Sequence, residues 1–398
     1  MENVLVVTKL RRNGRIYIVT ALYEGKKLLE INLEPLEQKG ILGNIYVGRV
    51  KNIVKNLNAA FIEIAPGMPC YYPLEDMRAP LFVKKINSPK LVQGDELVVQ
   101  IAQESSKSKP PRVTTNLNLS GKYLVLTSEN IKIGISKKID SEMRNKLKKD
   151  LSFKSNGEFG LIVRTNAALA AKEEILAEYE QLSQEYLRLR ETAPHRTPYS
   201  CLREQMPEYL HTLQNVNQSH LHSVVTDDGE LFETMKDYLA KYQPEDLKKL
   251  KFYEDDFLTL PNLYRLEIQM QEALQEKVWL KSGGYLMIQP TEALTVIDVN
   301  SGKSVSKKQV QEHYLKINLE AAEEILRQLR LRNLSGIIIV DFIDMKSEDA
   351  QESLMLLLRE GACRDSVPVQ IVDMTKLNLV EITRKKVRKS LAEQVQCF

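Results

Sequence analysis

Two apolar runs that each end in an aspartate constrain the fold of this chain more than any other feature. Residues 294–297 lead into Asp298, residues 337–340 lead into Asp341, and a helical pattern over residues 307–332 lies between them. Continuous apolar runs are typical of strands buried on both faces, and a helix between two such strands implies a crossover connection. The sequence therefore predicts an α/β layer in this part of the chain, with both aspartates at the carboxyl ends of strands.

The residues at these strand ends can bind a metal ion. Asn300 follows Asp298 by two positions, so an extended backbone would place both side chains on one face. Carboxylate and amide oxygens suit Mg²⁺, which can orient a water for phosphodiester hydrolysis. However, aspartates that follow buried strands also cap turns or pair with nearby basic residues. Chemistry alone leaves both interpretations open.

The rest of the chain indicates several smaller parts. Asn13-Gly14 between two alternating runs predicts a tight hairpin. Short strands punctuated by Gly, Asn and Pro continue to about residue 117 and predict a small barrel of the OB type. A second β-rich stretch precedes a helix with apolar residues at helical spacing. Those residues are Ile175, Tyr179, Leu182 and Tyr186.

Charge and cysteine usage narrow the class of protein. A net charge of +3 over 398 residues means that a nucleic-acid partner would be bound by local basic clusters. One such cluster, around Lys376 and Arg384, either contacts nucleic-acid phosphates or is a solvated face. Four scattered cysteines without a CxxC pair favour reduced thiols. The short apolar run at residues 4–7 favours a cytoplasmic protein without a membrane span.

Longer motifs resemble those of a known family. EALTVIDVNSGK and NLEAAEEILRQLRLRNLSGIIIVDFIDM resemble the catalytic core of the ribonuclease E/G family, and the likeness extends over nearly the whole chain. It implies that Asp298 and Asp341 are the metal-binding aspartates and that Asn300 is the nearby catalytic asparagine. The cofactor implied is Mg²⁺.

The resemblance also implies a multidomain α+β fold. Residues 1–37 and 196–280 would form a ribonuclease-H-like domain that is split by an insertion. The insertion would hold an OB-fold domain of the S1 type at 38–117 and a small 5′-sensor domain at 118–195. Residues 281–398 would form a DNase-I-like catalytic domain with a basic tail.

Further residues match RNA-contacting positions of the family. Phe61 and Tyr71 match aromatic positions that pack a nucleobase, although aromatics on such strands also serve as core. Lys109 matches a basic contact, but Gln103 and Ser106 stand where many members have Lys and Arg. Contacts from Lys107 or Arg112 could replace them.

One segment resembles the family's pocket for a 5′ monophosphate. Arg164 and Thr165 follow the run GLIV, and Gly121 with Val125 matches the other side of that pocket. A guanidinium and a hydroxyl suit a terminal phosphate, and a glycine would allow close approach of the backbone.

These features predict an endoribonuclease that cuts single-stranded, often A/U-rich RNA in rRNA and mRNA processing and decay. The products would carry a 5′-phosphate and a 3′-hydroxyl. A non-catalytic RNA-binding protein and a magnesium-dependent DNA nuclease are the alternatives. A homodimer or homo-oligomer is possible, but Cys397 lacks the second cysteine that many members use to share a structural zinc, so no such zinc is expected.

Overall fold

A computed structural model of the chain describes residues 3–37, 40–78, 80–105, 109–136, 138–150, 157–216, 221–302 and 310–396. Within these residues the chain forms strands that belong to four sheets. The strands are β1 (Asn3–Arg12), β2 (Arg15–Glu24), β3 (Lys27–Pro35), β4 (Ile45–Val54), β5 (Ala59–Ala65), β6 (Met68–Pro73), β7 (Phe82–Lys84), β8 (Glu96–Gln103), β9 (Arg112–Thr114), β10 (Asn118–Ser120), β11 (Leu124–Thr127), β12 (Ile133–Ile135), β13 (Gly160–Val163), β14 (Cys201–Arg203), β15 (Leu221–Thr226), β16 (Leu250–Phe252), β17 (Lys277–Trp279), β18 (Tyr285–Pro290), β19 (Leu294–Asn300), β20 (Gly336–Asp341), β21 (Val369–Met374) and β22 (Leu379–Arg384).

The α-helices of the described residues range from one turn to six turns. They are α1 (Ser141–Asp150), α2 (Lys172–Thr192), α3 (Glu208–Asn215), α4 (Gly229–Tyr242), α5 (Leu260–Leu263), α6 (Leu266–Ala273), α7 (Val310–Leu331), α8 (Glu348–Ala362) and α9 (Leu391–Gln396). None of these helices is long and apolar enough to cross a membrane.

The chain divides into two compact units. One unit combines residues 1–39 with 208–398, and the other consists of residues 40–207. The second unit is therefore inserted into the sequence of the first.

The unit of residues 40–207 contains a closed barrel and a smaller sheet. Strands β4, β5, β6, β9 and β8 pair in that order, and a further pairing of β4 with β8 closes the barrel. This five-stranded barrel has the form expected for the OB type. The smaller sheet has the order β10-β11-β13-β12, and α2 packs its apolar side against it through Ile175 and Leu182. The sheet thus shares a core with the helix, as the helical spacing predicted.

The other unit contains a five-stranded sheet built from distant parts of the chain. Its order is β16-β15-β1-β2-β3, with β1 antiparallel to β2 but parallel to β15. The turn between β1 and β2 consists of Asn13 and Gly14, which both have positive φ. Positive φ at both central residues is the requirement of a type I′ hairpin turn, so the predicted hairpin is confirmed.

A six-stranded sheet in the same unit has the order β17-β18-β19-β20-β22-β21. Strands β19 and β20 are parallel and α7 connects them, which confirms the predicted crossover. Helices α7 and α8 cover one face, where Ile297, Val340 and Ile382 are fully buried with Ile325 and Leu358. The residues that alternate with them lie on the opposite face, which is open to solvent.

Strand β22 was not predicted. The sequence predicts a basic tail for these residues, but β22 lies between β20 and β21 and pairs with both. It is a central strand because Val380 and Ile382 alternate toward the helices and are completely buried.

Candidate active site

The two predicted metal-binding aspartates lie side by side. Asp298 on β19 and Asp341 on β20 are direct partners in the parallel register of these strands. Both side chains are exposed and lie on the face that the helices leave open, because Ile297 and Val340 before them point into the core. Neighbouring strands are about 4.8 Å apart, so one ion can reach both carboxylates.

Asn300 belongs to the same cluster. Its Nδ2 donates a hydrogen bond to Oδ2 of Asp298 over 2.7 Å. The amide therefore holds the Asp298 carboxylate in one orientation. This arrangement agrees with the same-face placement expected from the two-residue spacing.

A third aspartate, Asp344, was not singled out in the sequence. It lies in the loop after β20 and accepts a 3.1 Å hydrogen bond from Nδ2 of Asn378. The buried Asn318 of α7 holds this loop, because its amide exchanges two hydrogen bonds with the backbone of Ile343, at 2.7 and 3.1 Å. The spacing in VDFID, with a second aspartate three residues after Asp341, is the signal that could have found it.

The electrostatics of the cluster favour a cation. Burial raises the pKa of Asp341, and the negative charges of Asp298 and Asp344 raise it further. Like charges at one site disfavour ionisation unless a positive charge joins them. Among the described residues, no three His, Cys, Asp or Glu side chains are arranged to hold a metal by themselves. An ion here would complete its shell with water, Asn300 or a substrate phosphate, as Mg²⁺ commonly does.

The basic residues near this site differ in their surroundings. Lys376 is exposed in the loop between β21 and β22, the same loop that carries Asn378 beside Asp344. Arg384, by contrast, is 4% exposed and pairs with Asp365 over 2.9 Å while it also donates to Asn333. The RNA-binding role predicted for Arg384 therefore does not fit its position, because a buried, paired guanidinium cannot reach a phosphate.

The remainder of the predicted basic cluster is also partly neutralised. Arg388 forms an ion pair with Glu208 over 2.5 Å, and Lys386 pairs with Glu393 over 3.6 Å. Lys376 and Lys385 are exposed. Only some of these basic side chains are therefore available to bind a phosphate.

The predicted nucleobase contacts lie on the outside of the barrel. Phe61 of β5 and Tyr71 of β6 are partners in register, with ring centroids 6.2 Å apart at 73°. Both are half-buried, whereas their neighbours Ile62 and Tyr72 fill the core. Lys109 is exposed just before β9, which pairs with β6 at Tyr71. These three residues therefore lie on adjoining segments of one barrel surface.

Other residues of the predicted RNA-contacting loop precede β9. Ser106 and Lys107 lie outside the described residues. Arg112 forms an ion pair with Asp76 over 2.7 Å.

The predicted sensor residues meet at one end of the smaller sheet. Arg164 follows β13 and donates from Nη1 to the carbonyl oxygen of Gly121 over 2.5 Å. Thr165 lies 3.3 Å from the hydroxyl of Ser136, and the half-buried Val125 lies on β11, the strand that follows Gly121. Arg164, Thr165 and Gly121 are thus brought close together.

Glu178 of α2 holds the segment that follows Gly121 and was not predicted. Its carboxylate accepts hydrogen bonds from the backbone amides of Lys122, Tyr123 and Leu124, at 2.5, 2.7 and 2.7 Å. A Cβ at Gly121 would lie 2.3 Å from the Glu178 carboxyl carbon, so a larger residue here would displace this carboxylate. Burial lowers the pKa of Arg164, and the charge of Glu178 opposes that shift.

Comparisons with known proteins agree with this geometry. The model of the Ribonuclease E/G family matches residues 118–387. The chain is 33% identical to Ribonuclease G of Salmonella typhimurium over 389 residues, which is 95% of this chain and 79% of that protein. It is 32% identical to Ribonuclease G of Escherichia coli over 388 residues, with the same coverage. Identity to Ribonuclease E of Haemophilus influenzae is 30% over 382 residues, 94% of this chain and 41% of that protein. The chain therefore belongs to the ribonuclease E/G family.

Proposed function

We propose that this protein is a magnesium-dependent endoribonuclease that cuts single-stranded RNA in the cytoplasm, in rRNA and mRNA processing and decay. Membership of the ribonuclease E/G family makes it an endoribonuclease. The observation that supports the dependence on magnesium is the pairing of Asp298 with Asp341 across two parallel strands, with Asn300 bound to Asp298.

Each residue of the cluster has a distinct part in the proposed reaction. Asp298 and Asp341 would hold Mg²⁺, and Asn300 keeps the Asp298 carboxylate oriented. Mg²⁺ bound there supplies an activated water and neutralises charge on the phosphodiester. Lys376, which is exposed in the loop beside Asp344, would hold a flanking phosphate. Hydrolysis would leave a 5′-phosphate and a 3′-hydroxyl.

RNA contacts outside the cluster would come from the other unit. Phe61 and Tyr71 offer half-exposed rings for a nucleobase, and stacking on such rings tolerates any base. Lys109 adds a positive charge on the same surface. Arg164, Thr165, Gly121 and Val125 would form a pocket in which a 5′ monophosphate stimulates cleavage.

The finer fold assignment is part of the same proposal. The sheet has the order β16-β15-β1-β2-β3. Strands β1, β2 and β3 are antiparallel to their neighbours in this group, and β15 and β16 are parallel to β1. This arrangement supports the split ribonuclease-H-like domain. The six-stranded sheet with α7 and α8 supports the DNase-I-like catalytic domain. The proposed assembly is a homodimer or homo-oligomer.

Cleavage by aspartate variants tests the proposed function. We expect Asp298→Asn or Asp341→Asn to lower the cleavage rate by about a thousandfold, because an amide is a far weaker Mg²⁺ ligand than a carboxylate. RNA binding should change little. The exposed Asp237→Asn on α4 is the matched control and should cut at the wild-type rate.

The assay follows a 5′-monophosphorylated single-stranded RNA on denaturing gels during a Mg²⁺ titration, with single-stranded DNA of the same sequence in parallel. Near-wild-type turnover in either aspartate variant would refute the metal assignment. Equal or faster cutting of the DNA would favour a magnesium-dependent DNA nuclease. Binding of RNA without any cleavage would favour the non-catalytic alternative.

A further inference from the structure

An exposed tryptophan, a half-buried tyrosine and a lysine lie together at the edge of the six-stranded sheet. The Trp279 side chain is 65% exposed, and its ring centroid is 5.4 Å from that of Tyr285 at 61°. The Lys277 ammonium lies 4.0 Å from the Trp279 centroid and 3.8 Å from the Tyr285 centroid. Trp279 is the single tryptophan of the sequence.

The strand register places this group on the same face as the carboxylates. Trp279 is opposite Tyr285, which is opposite Asn300. Likewise Lys277 is opposite Met287, which is opposite Asp298. Residues that are opposite each other in register share one face of a sheet, and two strand spacings amount to about 10 Å. The rings therefore lie within about one or two nucleotides of Asp298.

Packing of the core does not explain these side chains. Val278, between Lys277 and Trp279, is the residue of β17 that packs on the core, as does Leu286 beside Tyr285. Lys277 forms no ion pair with a carboxylate of the described residues, so its charge is held only over the two rings. An exposed tryptophan is uncommon because it leaves a large apolar surface in water, and such surfaces mark binding sites.

Charge complementarity identifies the class of partner. The cluster of Asp298, Asp341 and Asp344 repels RNA phosphates, and Lys277 is a cation on the same open face. A ring pair beside a cation is the combination that binds single-stranded nucleic acid, because bases stack on the rings while the cation meets the backbone.

We propose that Trp279, Tyr285 and Lys277 form a subsite that stacks one unpaired nucleobase of the RNA, next to the phosphodiester that is cut. This inference rests on the proposed ribonuclease function and adds a substrate contact to it. The subsite selects an unpaired base and is indifferent to its identity, because every base offers a π-face.

The single tryptophan allows a direct test. The intact protein is titrated with single-stranded oligoribonucleotides in EDTA, and tryptophan emission and oligonucleotide anisotropy are recorded together. Gels confirm that the oligonucleotide stays whole. We expect quenching of Trp279 on binding. Trp279→Leu should weaken binding by about fivefold to a hundredfold, the range that base stacking on an aromatic ring gives.

Matched variants separate stacking from a general loss of surface. Trp279→Phe keeps a ring and should recover most of the affinity. Phe257→Leu removes an aromatic that is 98% exposed elsewhere in the same unit and should bind like wild type. A series of oligonucleotides with one abasic position, moved along the strand around the mapped cut, locates the base. One abasic position should weaken wild-type binding and have no further effect in Trp279→Leu.

Two results distinguish the ways in which the inference can fail. If wild-type protein binds and cuts RNA but Trp279 emission stays constant and Trp279→Leu keeps full affinity, the subsite is refuted while the proposed function stands. If wild-type protein neither binds nor cuts single-stranded RNA, the proposed function and the subsite fail together.

Discussion

Arg384 and Lys376 lie in one basic stretch of sequence, but their surroundings give them different roles. Removing Arg384 would break its buried ion pair with Asp365, and breaking a buried pair costs about 3–5 kcal/mol. We expect Arg384→Ala to lower the free energy of unfolding by that amount. The exposed Lys376→Ala should change it by less than about 0.5 kcal/mol but weaken RNA binding.

Urea unfolding followed by circular dichroism measures the first effect, and RNA binding of the folded variants measures the second. Wild-type stability in Arg384→Ala would contradict the buried pair. The difference between these residues shows why a run of basic residues is a poor guide to binding. The sequence shows which residues are charged, but their contacts in the fold determine whether they can bind a partner.

At the scale of elements, one carboxylate of α2 organises the loop between β10 and β11. Glu178 accepts from two amides of this loop and from the first amide of β11, and Arg164 donates to the Gly121 carbonyl, so the proposed pocket depends on both side chains. We expect wild-type protein to cut 5′-monophosphorylated RNA about tenfold to a hundredfold faster than RNA with a 5′-hydroxyl or triphosphate, since hydrogen bonds to a charged group contribute about 1.5–3 kcal/mol.

Arg164→Ala should abolish this preference without changing the rate on 5′-hydroxyl RNA, and Glu178→Gln should reduce it because an amide accepts these bonds less well. The exposed Arg188→Ala on α2 is the control and should keep the preference. Rates on the three kinds of 5′ end are compared on one sequence. Equal wild-type rates would show that no such sensor operates here.

At the scale of the whole molecule, the continuous unit should fold by itself and the interrupted one should not. The fragment 40–207 contains both of its cores. The fragment 208–398 lacks β1, β2 and β3, whose Tyr17, Val19 and Tyr23 form a core with Leu331 and Leu391. We expect a cooperative thermal transition for 40–207 and aggregation or loss of tertiary structure for 208–398. Near-ultraviolet circular dichroism and calorimetry of the two fragments show whether each one folds.

The sequence by itself determined the local elements and the pairing of Asp298 with Asp341. Asn13-Gly14 encodes its turn because few residues accept positive φ, and the spacing of Ile175, Tyr179, Leu182 and Tyr186 encodes α2 because a helix repeats every 3.6 residues. Asp298 and Asp341 could be paired because a crossover helix makes its flanking strands parallel. These features depend on neighbours in sequence or on the rule that a crossover helix joins parallel strands.

Tertiary structure alone decided what depends on distant partners. β1 pairs with β15, and β22 lies between β20 and β21. The local sequence of each strand does not indicate which distant strand it pairs with. The burial of Arg384 follows from that insertion, as the Trp279 and Tyr285 pair follows from the register of β17 with β18. Strand register is set by the whole buried face, so only the assembled sheet shows which side chains meet.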